Sequence, residues 1–478
     1  MPKPALLLVL VALVAGAIGG GVRAQTTPLF ETRGVWLSPA LHDGDWPPRD
    51  ADAAGQAEAL REVIRSCRRM GLNTVVFQVI YNGDAFFASG RLPWSPGLRG
   101  AGLDPGFDPL AVAVDEAHRL GMELHAWINV FWVGDLSTLT TFRDVTAPSH
   151  VAFGHPAWVR ASGELLWLDP SLDAARAWMV DNVVEVVDGY DVDAVHFDYV
   201  RYPAGGFATD AQRFAADPRG FARLDDWRRD NVTRFVRDAA AAVRARKPWV
   251  RVAATPIGNY EPSHGWPALW GYSDVYQESR RWLVEGWVDY LAPQLYWPTT
   301  QTAQAYEPLL EWWSSMTSEG RYIFTGNYLS QIGSSAAWTV DEILTQVELS
   351  RTYRDLGSMG NIYFQIQPFV ADTMGVGTAI AETFYQAPAL TPPLAAKLGT
   401  EQVPPYVQQD GAMVTMIPQD DTPLRAWVVY EDAGDGFALV DIVPAGTTSF
   451  ALPGAGTWAI SAAARSGVES RGVLVEVL

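Results

Sequence analysis

Cysteine and basic residues are both scarce in this sequence. Its 478 residues include a single cysteine, Cys67, which excludes an internal disulfide framework and any metal site built from several cysteines. Only 35 Lys and Arg stand against 54 Asp and Glu, and the formal net charge is −19. Because no basic stripe is available to neutralise phosphates, the composition argues against nucleic acid as a partner.

The N-terminal apolar run is too short to cross a membrane comfortably. Lys3 precedes apolar residues from Ala5 to Ile18, whereas a spanning helix needs about 20 residues. The sequence Val22-Arg23-Ala24 has the small-x-small pattern of a signal-peptidase site. We therefore predict that residues 1–24 are a signal peptide cleaved before Gln25. The mature protein would be periplasmic or extracellular, without a membrane span; an uncleaved anchor is the alternative.

Aromatic residues, by contrast, are plentiful. Hydrophobic residues make up 48% and charged residues 19% of the chain, a balance that excludes global disorder. The sequence carries 20 Trp, 17 Tyr and 19 Phe. A core requires hydrophobic residues but has no special need of tryptophan, so part of this surplus indicates a binding surface.

Strand and helix patterns alternate from residue 30 to residue 386. An amphipathic helical stretch at 56–70 stops at Gly71 and is followed by a β-branched run. The predicted strands are 34–37, 73–79, 123–130, 193–198, 249–255, 288–296, 322–326 and 361–366. Eight such units predict an α/β fold, a (β/α)₈ TIM barrel over residues 25–386. No G-x-G-x-x-G follows the first strand, which disfavours dinucleotide binding.

The composition changes after residue 386. Five prolines between 387 and 406 predict a linker. Short alternating runs separated by turn residues fill 407–478, and they predict a small β-sandwich similar to a fibronectin type III module. This part shows no cluster of catalytic residues, so we expect a spacer or a binding module.

The C-terminal ends of barrel strands are where chemistry is expected. His196 and Asp198 are two residues apart, so they share one face of their strand. His125, Trp127 and Asn129 form a second set of this kind. A structural Asp–His hydrogen bond is the simpler explanation for one such pair. Convergence of several polar strand ends with many aromatics favours a site instead.

Aromatic, amide and carboxylate side chains together suggest a sugar site. Flat aromatic rings stack on pyranose faces, amides bind hydroxyl groups, and a pair of carboxylates can hydrolyse a glycosidic bond. We predict the following substrate-binding residues: Gln78, Asp84, His125, Trp127, Asn129, His196, Arg201, Tyr202, Gln294, Tyr296 and Trp297.

Several long motifs resemble the glycosyl-hydrolase-like family ten, bacterial exported proteins with glycosidase-type barrels. They are TRGVWLS at 32–38, GLNTVVFQVIYNGDAFFAS at 71–89, HAWINVFW at 125–132, WLDPS at 167–171, HFDYVRYP at 196–203 and DYLAPQLYW at 289–297. The resemblance covers about residues 30–370 and implies a glycoside hydrolase acting on peptidoglycan glycan strands or another cell-surface polysaccharide. The family often has two acids after the phenylalanine of the HFDYVRYP motif, as in FDDY, whereas this chain has only Asp198.

Both its motif and its position at a strand end indicate that Asp198 is a catalytic residue. It would act as the nucleophile or as a charge-stabilising carboxylate. For the second carboxylate we predict Glu278, where the family usually has an acid. An ordinary acidic residue in a first helical turn is an equal alternative, and Glu261 and Asp84 are rivals. No spacing such as H-E-x-x-H supports a metal, and we predict no cofactor.

Two other functions remain open at this level. A barrel that lost one acid would be a non-catalytic carbohydrate-binding protein of the cell envelope. A metal-dependent polysaccharide deacetylase would require an Asp-His-His set, which the sequence does not show with convincing spacing.

Overall fold

The computed structural model describes residues 28–41, 46–48, 50–146, 148–261, 268–317, 320–394 and 402–478. The predicted signal peptide at 1–24 lies outside these residues, as do the acids Asp43 and Asp45 that follow the first strand. Within the described residues, no helix is both long enough and apolar enough to cross a membrane.

Eight parallel strands close into a barrel, which confirms the predicted fold class. The barrel strands are β1 (Thr32–Leu37), β2 (Thr74–Ile80), β3 (Glu123–Asn129), β7 (Ala194–Asp198), β8 (Arg251–Ala254), β9 (Tyr290–Leu291), β10 (Tyr322–Asn327) and β11 (Ser358–Tyr363). Their order around the barrel is β1-β11-β10-β9-β8-β7-β3-β2. In this register Asn129 lies beside Asp198, so the ends of β3 and β7 are level.

Helices cover the outside of the barrel. They are α1 (Ala53–Arg69), α2 (Pro109–Arg119), α3 (Leu136–Thr141), α4 (Val151–Gly154), α5 (Asp173–Gly189), α6 (Asp210–Ala216), α7 (Leu224–Arg246), α8 (Ser279–Val284), α9 (Tyr306–Ser314), α10 (Val340–Thr352), α11 (Gln367–Val370) and α12 (Val376–Thr383). Helix α1 begins where Asp52 accepts a hydrogen bond from the backbone of Gly55. It ends before Gly71, whose φ of 78° lies in the left-handed region. Cys67 is fully buried on its inner face.

Two parts of the barrel differ from the sequence prediction. The predicted strand 288–296 is regular only at Tyr290–Leu291, because Pro293 has no N–H to donate to a ladder. Gln294 then rejoins the barrel through single bridges to Ile257 and Gly326. The segment after β3 forms an unpredicted three-stranded sheet of β4 (Trp132–Asp135), β5 (Val159–Ser162) and β6 (Leu165–Leu168).

The C-terminal region is a seven-stranded sandwich. Its strands are β12 (Tyr406–Asp410), β13 (Met413–Ile417), β14 (Leu424–Asp432), β15 (Phe437–Pro444), β16 (Ser449–Ala451), β17 (Gly456–Ala464) and β18 (Val473–Val477). Sheet β12-β13-β16 faces sheet β15-β14-β17-β18, the three-plus-four arrangement expected of a fibronectin type III-like module. Trp427 and Trp458 are buried in its core.

The first part of the Pro-rich segment that we predicted as a linker, residues 387–394, packs against the rest of the protein, and we call it the strap. Leu390 exchanges backbone hydrogen bonds with the chain at Leu29 and Glu31. The same leucine packs against Ala426, Val428 and other residues on the outer face of β14. Residues 387–394 therefore join the barrel to the C-terminal module through buried contacts.

A buried carboxylate, Glu123, connects the underside of the barrel with the C-terminal module. It accepts hydrogen bonds from Arg251 at 2.9 Å and from Arg425 of the module, also at 2.9 Å. Thr391 of the strap donates to the same oxygen. Burial raises the pKa of Glu123, but the two guanidinium groups outweigh it and hold this pKa well below its ordinary value.

We expect Arg425→Ala to lower the free energy of unfolding by about 3 kcal/mol, because removing one partner of a buried ion pair leaves the other partly uncompensated. Urea unfolding followed by tryptophan fluorescence measures this. Arg471→Ala removes an exposed arginine of the same module and should change stability by less than about 0.5 kcal/mol. Equal effects of the two substitutions would contradict the structural role of Arg425.

Candidate active site

A cavity of about 230 Å³ opens at the C-terminal end of the barrel. Side chains from seven of the eight barrel strands or the loops after them line it, together with Trp132 of β4. Of the predicted site residues, those that line it are Gln78, Trp127, Asn129, Asp198, Arg201, Gln294 and Tyr296. The structure thus brings seven of the thirteen predicted residues together where barrel enzymes place their chemistry.

Asp198 is the only carboxylate among the described residues that line this cavity. It is the last residue of β7 and is 6% exposed. Burial raises its pKa to about 6, although Arg201 and the backbone N–H of Tyr199 act in the opposite direction. A carboxyl group with this pKa is partly protonated near neutral pH, which suits a general acid.

The backbone after Asp198 is held in an uncommon conformation. Tyr199 has a φ of 47°, in the left-handed region that residues other than glycine rarely adopt. In this conformation its N–H donates to a carboxylate oxygen of Asp198 at 2.7 Å. Such backbone strain concentrates at functional sites, and here it orients the candidate acid.

The side chains of Asn129 and Arg201 each hold a hydrogen-bond donor that has no partner within the described protein. Ser38 donates to the Gln78 amide oxygen at 2.5 Å, and the Gln78 amide nitrogen donates to the Asn129 oxygen at 3.4 Å. This orientation leaves the Nδ2 of Asn129 unpaired. Nη1 of Arg201 is unpaired as well. A ligand that offers oxygen acceptors would satisfy both donors.

Aromatic rings form two arcs of the cavity wall. On the side of β2, β3 and β7, the rings of Trp132 and Tyr199 meet edge to face at 4.3 Å between centroids. Tyr81 lies 5.7 Å from Trp132. On the side of β9 and β11, Tyr296 lies 5.8 Å from Phe364. These are surfaces on which the apolar faces of sugar rings can stack.

His125 and His196, predicted to bind substrate, do not line the cavity. Both are fully buried in the barrel interior, and the hydroxyl group of Tyr290 lies between them, 2.8 Å from Nδ1 of His125 and 2.9 Å from Nδ1 of His196. Trp36 donates to the Nε2 of His196 at 3.2 Å. The two histidines therefore support the floor of the site from below.

Hydrogen bonds join Trp36, His196, Tyr290, His125 and Glu123 into one column. Its donors and acceptors can be matched in only one direction. Because Trp36 donates to Nε2 of His196, the proton of this imidazole sits on Nδ1 and points to the Tyr290 oxygen. The Tyr290 hydroxyl can then donate to His125, which donates from Nε2 to Glu123 at 3.0 Å. Burial, with His125 nearby, holds the pKa of His196 well below its ordinary value, so His196 stays neutral.

Asp84 and Tyr202 also lie away from the cavity. Asp84 is 1% exposed and accepts the backbone N–H of Asn82 at 3.0 Å, which fixes the loop after β2. The Tyr202 hydroxyl is buried against α7, where it accepts a hydrogen bond from Asn231 at 2.9 Å. Both predicted substrate ligands are therefore supports of loops that border the site.

Glu278 does not meet Asp198 across the cavity. It precedes α8, and its carboxylate accepts from Arg281 at 3.1 Å and from Thr233 of α7 at 3.4 Å. Glu278 therefore lies beside the outer helices and is not among the residues that line the cavity, and its role as a second catalytic carboxylate stays a prediction. Trp297 lines a neighbouring groove, which it shares with Gln294 and Tyr296.

The lining residues that our predicted set does not contain are Trp36, Leu41, Tyr81, Trp132, Tyr199, Thr255 and Phe364. Trp36 alternates with the outward-facing Val35 and Leu37 in β1, so the period of two within TRGVWLS was a usable signal. Phe364 follows the last barrel strand directly, in a run that reads as ordinary core. Among the described residues, no group of three or more His, Cys, Asp or Glu is placed to hold a metal ion.

A buried acid, unpaired amide and guanidinium donors and aromatic walls at the top of a TIM barrel define a glycosidase-type site. The family model for glycosyl hydrolase-like 10 proteins matches residues 31–341. The chain belongs to this family and is a glycoside hydrolase.

Similar proteins agree with this assignment. The chain is 32% identical over 379 residues to the glycosyl hydrolase YngK of Bacillus subtilis, covering 76% of this chain and 73% of that protein. It is 31% identical over 365 residues to the glycosyl hydrolase DigH of Escherichia coli, covering 70% of this chain and 82% of that protein. The glycoside hydrolase domain of PgaB from Bordetella bronchiseptica shares the fold, with a TM-score of 0.50, 15% identity, and coverage of 74% of this chain and 99% of that domain.

The raised pKa of Asp198 predicts that Asp198→Asn stabilises the protein above pH 6. Ionised Asp198 is less favourable in the folded protein than in the unfolded chain. The rise of its pKa from 3.8 to about 6 corresponds to a loss of about 3 kcal/mol in the free energy of unfolding. The full destabilisation is present at pH values above the pKa of Asp198 in the folded protein. It is absent at pH values below the pKa of Asp198 in the unfolded chain. The gain in the variant should therefore shrink as the pH falls from about 6 to about 4.

Urea unfolding of both proteins at several pH values measures the difference. Asp238→Asn replaces a half-exposed aspartate on α7 and should show no such trend. A variant that is no more stable than wild type at high pH would show that burial of Asp198 carries no such cost.

Proposed function

We propose that the protein is an exported enzyme that cleaves the glycan strands of peptidoglycan, with Asp198 as its general acid. The observation that supports this most directly is the raised pKa of Asp198 at the bottom of an aromatic-walled cavity. The predicted signal peptide at 1–24 supports export, and the acidic surface expected from the composition suits an extracytoplasmic protein.

The protonated carboxyl of Asp198 would donate its proton to the glycosidic oxygen of the leaving sugar. This role replaces the nucleophilic or charge-stabilising one that the motif alone suggested, because a pKa of about 6 keeps a working fraction of the group protonated near neutral pH. The hydrogen bond from Tyr199 to one carboxylate oxygen leaves the other oxygen to carry the proton.

N-acetylated sugars fit the donors of the cavity. The unpaired Nδ2 of Asn129 and Nη1 of Arg201 are suited to acetamido and hydroxyl oxygens. In substrate-assisted glycosidases the substrate itself takes the part of the second carboxylate. A 2-acetamido carbonyl would supply that oxygen here, where Asp198 is the one acid among the described lining residues. Peptidoglycan strands carry this group on every sugar.

The proposal is tested on purified peptidoglycan, intact or stripped of its stem peptides by an amidase. Wild type should release new reducing ends, and Asp198→Asn should lower kcat about 10³-fold, within the usual range for loss of a general acid. Asp238→Asn serves as the matched control and should keep wild-type activity. Glycan binding without release of reducing ends by wild type would refute the proposed substrate, and full activity of Asp198→Asn would refute the assigned acid.

The pH dependence provides an independent check. Because the acid must be protonated, kcat/KM should fall as the pH rises through about 6, by about tenfold per pH unit well above that value. Initial rates on stripped glycan strands in constant-ionic-strength buffers measure the profile. A rate that is constant between about pH 5 and 8 would rule out a titrating acid with this pKa.

A further inference from the structure

A second groove, of about 300 Å³, adjoins the catalytic cavity. Gln294 and Tyr296 line both spaces and form the partition between them. Gln294 reaches toward Thr255 of the catalytic cavity at 3.4 Å. The groove opens to solvent at Leu269, which is 43% exposed. The groove therefore lies directly beside the catalytic cavity and shares a wall with it.

The lining of this groove has the chemistry of sugar binding without that of bond cleavage. Tyr296 and Trp297 both contribute to its lining. Asn259 is 2% exposed, and its side-chain oxygen has no hydrogen-bond partner within the described protein. None of the described lining residues is a carboxylate. An aromatic surface with a buried amide suits a pyranose ring and its hydroxyl groups.

The groove is built before any ligand arrives. Gly258 packs so closely on the neighbouring chain that an added Cβ would lie 2.3 Å from the carbonyl oxygen of Gln294. Trp313 donates to the carbonyl of Gly258 at 2.8 Å. On the other wall, Tyr296 stacks on Tyr328 at 4.6 Å. A preformed wall binds without an ordering cost, which favours a specific subsite over a chance depression.

We propose that this groove is a second sugar subsite, which binds the part of the glycan chain beyond the sugars held beside Asp198. It makes the enzyme prefer long glycan strands over short fragments. This inference rests on the proposed function, since it concerns the same substrate. Trp297 is its specificity-determining residue, because it lines the groove and not the catalytic cavity.

The test compares kcat/KM on glycan-strand fragments of increasing length, from disaccharide to octasaccharide. For wild type, kcat/KM should rise steeply once a fragment is long enough to enter the groove. Trp297→Ala should make the increase of kcat/KM with fragment length about tenfold smaller, as expected for loss of one aromatic stacking surface. The loss of kcat/KM should be smallest on the shortest cleaved fragment, since this fragment occupies only the catalytic cavity.

Two further variants make the result specific. Trp297→Phe keeps an aromatic face and should restore most of the length dependence. Trp249→Ala removes a partly buried tryptophan before β8, at the opposite end of the barrel, and should leave the length dependence as in wild type. It controls for general loss of packing.

The outcomes separate the two proposals. If wild type cleaves no glycan fragment, the proposed substrate is wrong. If wild type cleaves them but Trp297→Ala has the same length profile as Trp249→Ala and wild type, the second subsite is refuted while the proposed function stands. Equal losses of Trp297→Ala on fragments of every length would also refute it, because the groove would then not distinguish long chains.

Discussion

The buried carboxylate of Glu123 is the interaction on which much of the remaining structure depends. From Glu123 a single column of hydrogen bonds runs up the barrel axis through His125, Tyr290 and His196 to Trp36. An unpaired polar group in such an interior is costly, so each member of the column is confined to one orientation. Hydrogen bonds therefore tie the floor of the candidate site to the barrel interior, and the same carboxylate also accepts a hydrogen bond from Arg425 of the C-terminal module.

Above this floor, Asp198 is the one carboxylate among the described residues that line the cavity. Asp198 is placed level with Asn129 by the barrel register, and burial keeps its proton available near neutral pH. Aromatic side chains form walls of the same cavity. The cost of burying Asp198 is a local loss of stability at the site, a trade that active sites commonly make for function.

Most of the fold could be predicted because its signals are local. The glycine ends of α1 and α2 and the β-branched runs of β2 and β3 each mark an element within a few residues. Prediction failed where tertiary pairing decides. Pro293 cut short a long apolar run, and the segment from Trp132 to Leu168 became a sheet only because its strands find one another. The Pro-rich strap has linker composition, yet Leu390 is buried against the module.

By itself the sequence determined the barrel, the sandwich and the motif that holds Asp198, because strand and helix periods and turn residues act over short distances. The tertiary structure alone decided which polar residues reach the cavity. A period of two assigns a residue to the inner face of its strand but not to a height along the barrel axis. His125 lies low on β3 and supports the floor, whereas Asn129 at the end of the same strand faces the cavity. The position of Glu278 beside Thr233 follows from helix packing, which the sequence pattern does not encode.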